Sequence, residues 1–64
     1  MQFMLTFGQN HPLRDCWIEV LAPSYSEARA KVFRIFGDKW FFLYHTHEFE
    51  SKFFPSGKVG RTLV

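Results

Sequence analysis

The sequence predicts a small α+β domain, in which one main helix packs on one face of a mostly antiparallel sheet. In residues 2–7 and 16–21, every second side chain is apolar and can face a core, as in half-buried strands. Residues 24–37 combine a capped start, helical apolar spacing and a glycine stop. Residues 39–44 are apolar on both faces. We therefore expect the order β-β-α-β, followed by a short helical turn and a C-terminal edge strand.

The first two predicted strands each have one face suited to a core. These faces consist of Phe3, Leu5 and Phe7 in the first strand and Cys16, Ile18 and Val20 in the second. The loop between the strands, residues 8–15, is longer than the two to five residues typical of a tight hairpin. Long polar loops carry function more often than minimal turns do.

The helix is predicted over residues 25–36. Ser24 fits the N-cap position, and Glu27 stands three residues later, where a capping box places a carboxylate that reaches back to the N-cap amide. Gly37 is expected to end the helix, because glycine adopts the left-handed C′ conformation at little cost. The apolar stripe of the helix consists of Ala28, Val32, Ile35 and Phe36.

The remaining third of the chain begins with the aromatic strand at residues 39–44, which we expect to be central because both its faces are apolar. Residues 45–53 are ambiguous, and the helical spacing of Glu48, Phe49, Lys52 and Phe53 favours a short helical turn. Residues 59–64 are short and partly β-branched, which predicts the edge strand.

Chain length and aromatic content bear on self-association. The 64 residues form one domain, residues 1–64, and a chain this short buries only about 60% of its unfolded surface. One cysteine excludes an internal disulfide, while 20% of the residues are aromatic. Because each aromatic side chain buries roughly 150–250 Å², the aromatic residues exceed what so small a core needs. We expect the surplus to form a homo-oligomer interface or a ligand surface.

The start of the chain lacks the basic segment of a signal peptide, and no apolar run approaches the ~20 residues of a membrane helix. With the lone thiol, these features predict a cytoplasmic protein without a membrane partner. The formal net charge of +2 is compatible with nucleotide or nucleic-acid partners, and equally with a basic residue set that serves solubility.

Two features could carry chemistry, and each has a simpler interpretation. His45 and His47 form an H-x-H pair, which could bind a metal ion but is more typical of a solvated turn. Cys16 could be a nucleophile, but a buried, inert thiol is its ordinary state within an apolar strand. The four glycines are scattered and form no phosphate-binding loop. The sequence therefore predicts a protein that is not an enzyme and has no metal site and no cofactor.

Basic and aromatic residues form a more promising combination. A nucleotide site needs a flat π surface for the base and charge-assisted donors for the phosphate. The alternative is that the charges form a solvated helix face and the aromatic residues belong to the core. The candidate ligand-binding residues are His11, Arg14, Trp17, Arg29, Trp40 and Tyr44.

Part of this pattern resembles a group of short proteins encoded by tailed bacteriophages. The resemblance covers roughly residues 3–45. It rests on Thr6-Phe7-Gly8, His11-Pro12, Glu27-Ala28-Arg29 and Phe36-Gly37-x-x-Trp40-x-Phe42-x-Tyr44. It implies a phage accessory protein that is expressed in the host bacterial cytoplasm, and it assigns no activity to single residues.

Three hypotheses follow for the function. The first is a counter-defence protein that sequesters a nucleotide-type immune signal, such as a cyclic nucleotide. The second is a protein–protein inhibitor of a host defence complex, similar in role to an anti-CRISPR protein, because Trp, Tyr and Arg dominate interface hot spots. The third is a nucleic-acid-binding accessory protein, whose affinity would fall steeply with salt.

Overall fold

A computed structural model describes all 64 residues and confirms the α+β class. One helix accompanies a four-stranded sheet in the spatial order β3-β1-β2-β4. No helix has the length and apolar character needed to cross a membrane. The elements are β1 (Gln2–Thr6), β2 (Cys16–Leu21), α1 (Tyr25–Phe36), β3 (Phe42–His45), two single 3₁₀ turns (Thr46–Glu48 and Ser51–Phe53) and β4 (Gly57–Lys58).

The centre of the sheet is the pair β1 and β2. β1 runs antiparallel to both of its neighbours, with Leu5 opposite Ile18 of β2 and Leu43 of β3. The prediction that the aromatic strand is central was wrong, because β3 lies at an edge. Its two apolar faces have another cause: Leu43 faces the core under the helix, whereas Tyr44 contacts other aromatic rings on the opposite face.

The C-terminal part of the chain makes the sheet mixed. β4 pairs with β2 in parallel, with Cys16 opposite Gly57, and it lies earlier in the chain than the predicted strand at residues 59–64. Those later residues still follow β2, since the amide of Val59 donates to Trp17 and that of Leu63 donates to Glu19, each at 2.9 Å. The tail is thus an edge element, but it forms only an isolated bridge there.

The helix has the predicted bounds. The Ser24 hydroxyl accepts a hydrogen bond from the Glu27 amide at 3.3 Å, which satisfies one of the free N–H groups of the first turn. The Ser24 amide donates no return bond to the Glu27 carboxylate, so only half of the capping box forms. Gly37 ends the helix with φ 63°, a conformation that side chains with a Cβ rarely adopt, and its amide donates to Phe33.

The hydrophobic core lies between the helix and one face of the sheet. The helix buries only Ala28 and Val32 fully, and its last turn contacts the core through Phe36, whose ring meets Phe7 edge-on at 5.9 Å. Ile35, predicted to lie in the apolar stripe, is 53% exposed. The buried cluster consists of Phe3, Leu5, Phe7, Ile18, Val20, Ala22, Ala28, Val32 and Leu43.

The other face of the sheet is covered by the segment of residues 46–56, which we call the crossover. It must cross the sheet, because β3 and β4 are at opposite edges. Side chains alternate along a strand, so Trp17 and Tyr44 point away from the helix side. Phe49 of the crossover packs on both, at ring-centroid distances of 5.2 and 5.9 Å. The sheet therefore lies between the helix and the crossover.

Candidate functional site

A cleft of about 480 Å³ opens between the crossover and the end of β1. The sheet contributes residues from β1 and β3, and the loop after β1 and the crossover contribute the rest of the lining, together with Phe41. Its lining residues are Thr6, Phe7, Gly8, Gln9, Arg14, Phe41, Tyr44, Glu48, Glu50, Phe53 and Phe54.

One wall of the cleft is a set of mutually packed aromatic rings. Phe54 stacks on Phe49 at 5.2 Å with their planes 15° apart, and Tyr44 meets both rings edge-on. Such contacts fix ring positions without any hydrogen bond. Phe41 and Phe53 also line the cleft, yet each is 65% exposed, so their surfaces are available to a ligand.

The charged residues of the cleft are one arginine and two glutamates. Arg14 is exposed and makes no ion pair, because the one salt bridge in the structure joins Lys58 to Glu19. Glu48 accepts a hydrogen bond from the His45 amide at 3.3 Å, which anchors the first turn of the crossover. Glu50 is exposed, and its carboxylate has no hydrogen-bond or ion-pair partner within the chain.

A second depression of about 360 Å³ adjoins the cleft and shares Gly8, Gln9 and Phe41 with it. His11 lines it, with its ring stacked on Phe7 at 4.5 Å and its Nδ1 accepting from the Leu13 amide at 3.0 Å. These two contacts order the loop after β1, and they leave the Nε2 side of the imidazole unbonded.

Trp40 borders the same depression from the end of the helix. Its indole N–H donates to the Gly37 carbonyl at 2.9 Å, and its ring meets Phe33 edge-on at 5.3 Å. The hydrogen bond closes the turn between the helix and β3. Asp38 and Lys39, within that turn, add one charge of each sign to the depression.

The structure places the six predicted ligand-binding residues in four locations. Arg14 and Tyr44 line the cleft, and His11 and Trp40 line the adjoining depression. Trp17 lies on the same face of the sheet but packs under the crossover, outside both linings. Arg29 is on the helix, with its guanidinium 4.7 Å from the centre of the Phe33 ring.

The contribution of the crossover to the site was not predicted from the sequence. Glu48, Glu50, Phe53 and Phe54 all line the cleft, but none was predicted as a ligand-binding residue. The available signal was the pair of adjacent phenylalanines in a segment without clear strand periodicity. Such a pair is hard to bury on one side of a short turn, and it therefore indicates an exposed aromatic surface.

Two features of the sequence could carry chemistry, namely the pair of His45 and His47 and the thiol of Cys16. The rings of His45 and His47 stack at 5.5 Å, and His45 also stacks on Tyr25 at 4.7 Å. No group of three or more His, Cys, Asp or Glu side chains is arranged to hold a metal ion. Cys16 is a free thiol, buried at the start of β2.

No family model, curated protein or solved structure matches this chain.

Proposed function

We propose that this chain is a non-enzymatic binding protein that captures a nucleotide-type ligand in the cleft. The observation that supports this best is the combination of accessible aromatic rings with an arginine that no carboxylate neutralises through an ion pair. The aromatic surface accepts a base by stacking, and the guanidinium donates paired hydrogen bonds to phosphate oxygens. The volume of about 480 Å³ is within the usual range of small-molecule sites.

The biological role that we propose is counter-defence by a phage accessory protein in the host bacterial cytoplasm. Sequestration of a signal, such as a cyclic nucleotide, requires affinity and no chemical step. A cleft without a nucleophile–base pair is sufficient for that role. The sequence resemblance supports the phage context, and the lining of the cleft supports the ligand class.

The test is an isothermal calorimetric titration of the purified protein with cyclic and linear signalling nucleotides. We expect one or more of them to bind, and Arg14→Ala to weaken that binding about 10- to 100-fold, because a hydrogen bond to a charged group contributes about 1.5–3 kcal/mol. Arg34→Ala is the matched control, since Arg34 is also exposed but lies on the helix. Absence of heat with every nucleotide at millimolar concentration would refute the proposal.

A protein partner is the second candidate, and exposed phenylalanines outside the cleft favour it. Phe42 is 43% exposed and does not line the cleft, although it packs on Tyr44 at 4.7 Å. An inhibitor of a host defence complex would use such rings as hot spots. Loss of partner capture in Phe42→Ala, with nucleotide binding unchanged, would favour this function, and binding to DNA or RNA that weakens steeply with salt would favour a nucleic-acid role.

We also propose that the chain forms a homo-oligomer. Large apolar side chains left at the surface are the support for self-association. Native mass spectrometry reports the oligomer and any bound nucleotide together, and a clean monomer would contradict this part of the proposal. The exposed large apolar residues are Met1, Leu21, Phe33, Ile35, Phe41, Phe42, Phe53 and Val64.

A further inference from the structure

The two glutamates of the cleft bear on which nucleotide base the cleft would bind. Arg14, Glu48 and Glu50 are the formally charged lining residues, so one positive and two negative charges leave the cleft with a net charge of −1. Carboxylates repel phosphate groups, and the repulsion grows with each added phosphate. Such a lining disfavours a polyphosphate and favours a ligand that donates hydrogen bonds to the carboxylates.

Glu50 is the residue best suited to receive those donors. One oxygen of Glu48 already accepts from the His45 amide, and this bond holds the turn at the start of the crossover. The carboxylate of Glu50 has no partner in the chain, and its residue precedes the turn that carries Phe53 and Phe54 to the same cleft. Because the crossover carries both these rings and Glu50, we expect a base that stacks on the rings to present its edge to the Glu50 carboxylate.

We infer that the ligand carries a guanine base, whose edge is recognised by the carboxylate of Glu50. This inference rests on the proposed function. Guanine presents two neighbouring donors, N1–H and the N2 amino group, that match the two oxygens of one carboxylate. Adenine presents one amino group beside a ring nitrogen acceptor, whose lone pair a carboxylate repels. Hydrogen bonds to charged groups are the strong ones, so the paired geometry discriminates between the bases.

Arg14 supplies the complementary charge of the site. It is the single cation that lines the cleft, and it therefore suits a ligand with one phosphate group. A guanine nucleotide with one phosphate brings a donor edge to the carboxylate and an anion to the guanidinium. The donor edge and the anion of the ligand are then each matched by a group of opposite charge in the lining.

The test compares three nucleotides that differ at the base edge. Guanosine, inosine and adenosine 5′-monophosphates are titrated into the full chain by calorimetry. Inosine lacks the N2 amino group and is otherwise identical in shape to guanosine. We expect guanosine monophosphate to bind at least 10-fold more tightly than inosine monophosphate, and adenosine monophosphate to bind most weakly. Glu50→Gln is expected to remove this preference, because its amide places a donor against the donors of guanine.

Glu27→Gln is the matched control, since Glu27 is an exposed glutamate on the helix and does not line the cleft. It should keep the full preference for guanine. Binding of the three nucleotides with equal affinity, or tighter binding of adenosine monophosphate, would overturn the guanine assignment and leave the nucleotide site in place. An unchanged preference in Glu50→Gln would overturn the role of Glu50. Absence of binding by every nucleotide would overturn the proposed function itself.

Discussion

Replacement of Phe49 by alanine should detach the crossover from the sheet. Phe49 packs on three rings, those of Trp17, Tyr44 and Phe54, at centroid distances between 5.2 and 5.9 Å. Each aromatic pair contributes about 0.5–1.5 kcal/mol beyond the burial of its area. Three such contacts put the loss in unfolding free energy at roughly 1.5–4.5 kcal/mol. A fully buried Phe→Ala change costs about 3–5 kcal/mol, and we expect a value toward the lower end because Phe49 is only half-buried.

This loss is large for so small a protein. Stabilities of about 0.05–0.15 kcal/mol per residue correspond to roughly 3–10 kcal/mol for the whole chain. Urea unfolding monitored by Trp17 fluorescence measures the effect directly, because Trp17 contacts Phe49. The Trp40→Phe background leaves Trp17 as the one remaining tryptophan of the two in the chain.

The matched control for Phe49→Ala is Phe53→Ala in the same background. Phe53 belongs to the crossover too, but its side chain is 65% exposed and its ring pairs with no other aromatic ring. We expect its replacement to change the unfolding free energy by less than about 0.5 kcal/mol, as for an ordinary surface substitution. Equal effects of the two replacements, or an unchanged urea midpoint for Phe49→Ala, would refute the role of the crossover as a packed layer.

Two further predictions concern contacts made by the helix and by the C-terminal tail. Tyr25→Phe removes the hydroxyl that donates to the Leu43 carbonyl at 3.0 Å and should lower the unfolding free energy by about 1 kcal/mol; an unchanged urea midpoint would show that this bond contributes nothing. Glu19 accepts hydrogen bonds from Thr62 and Gln2, which lower the pKa of its carboxyl. Because the folded pKa is the lower one, this contribution to stability is present above the ordinary glutamate pKa and is lost as pH falls through the folded value. Glu19→Gln should flatten that part of the pH–stability profile and speed amide exchange at residues 62–63, whereas an unchanged profile would contradict the assignment.

Much of the fold could be predicted because its signals are local. The bounds of β2 and of the helix agree with the sequence prediction, and β1 ends one residue earlier than expected. Strand alternation, an N-cap serine and a glycine stop each act within a few residues of chain. Four of the candidate residues that were predicted from the sequence line the cleft or the depression beside it. They come together because the loop after β1 and the turn after the helix are close in space.

The remaining features depend on contacts between distant parts of the chain. Apolar residues on both faces of β3 predict that both faces are covered, but not whether the strand is central or at an edge. The parallel pairing of β4 requires the chain to cross the whole sheet, and no local signal encodes that path. Glu50 and Arg14 line one cleft for the same reason, since the crossover brings Glu50 to the loop that carries Arg14.

The sequence by itself determined an α+β domain with one capped helix, two alternating strands and an excess of aromatic residues. The tertiary structure alone decided how that excess is divided. Phe3 and Phe7 enter the core under the helix, whereas Phe49 and Phe54 form a second layer on the opposite face and leave a cleft beside it. The physical reason is that burial of an aromatic ring is non-directional, so its amount follows from composition while its place depends on which surfaces the complete chain brings together.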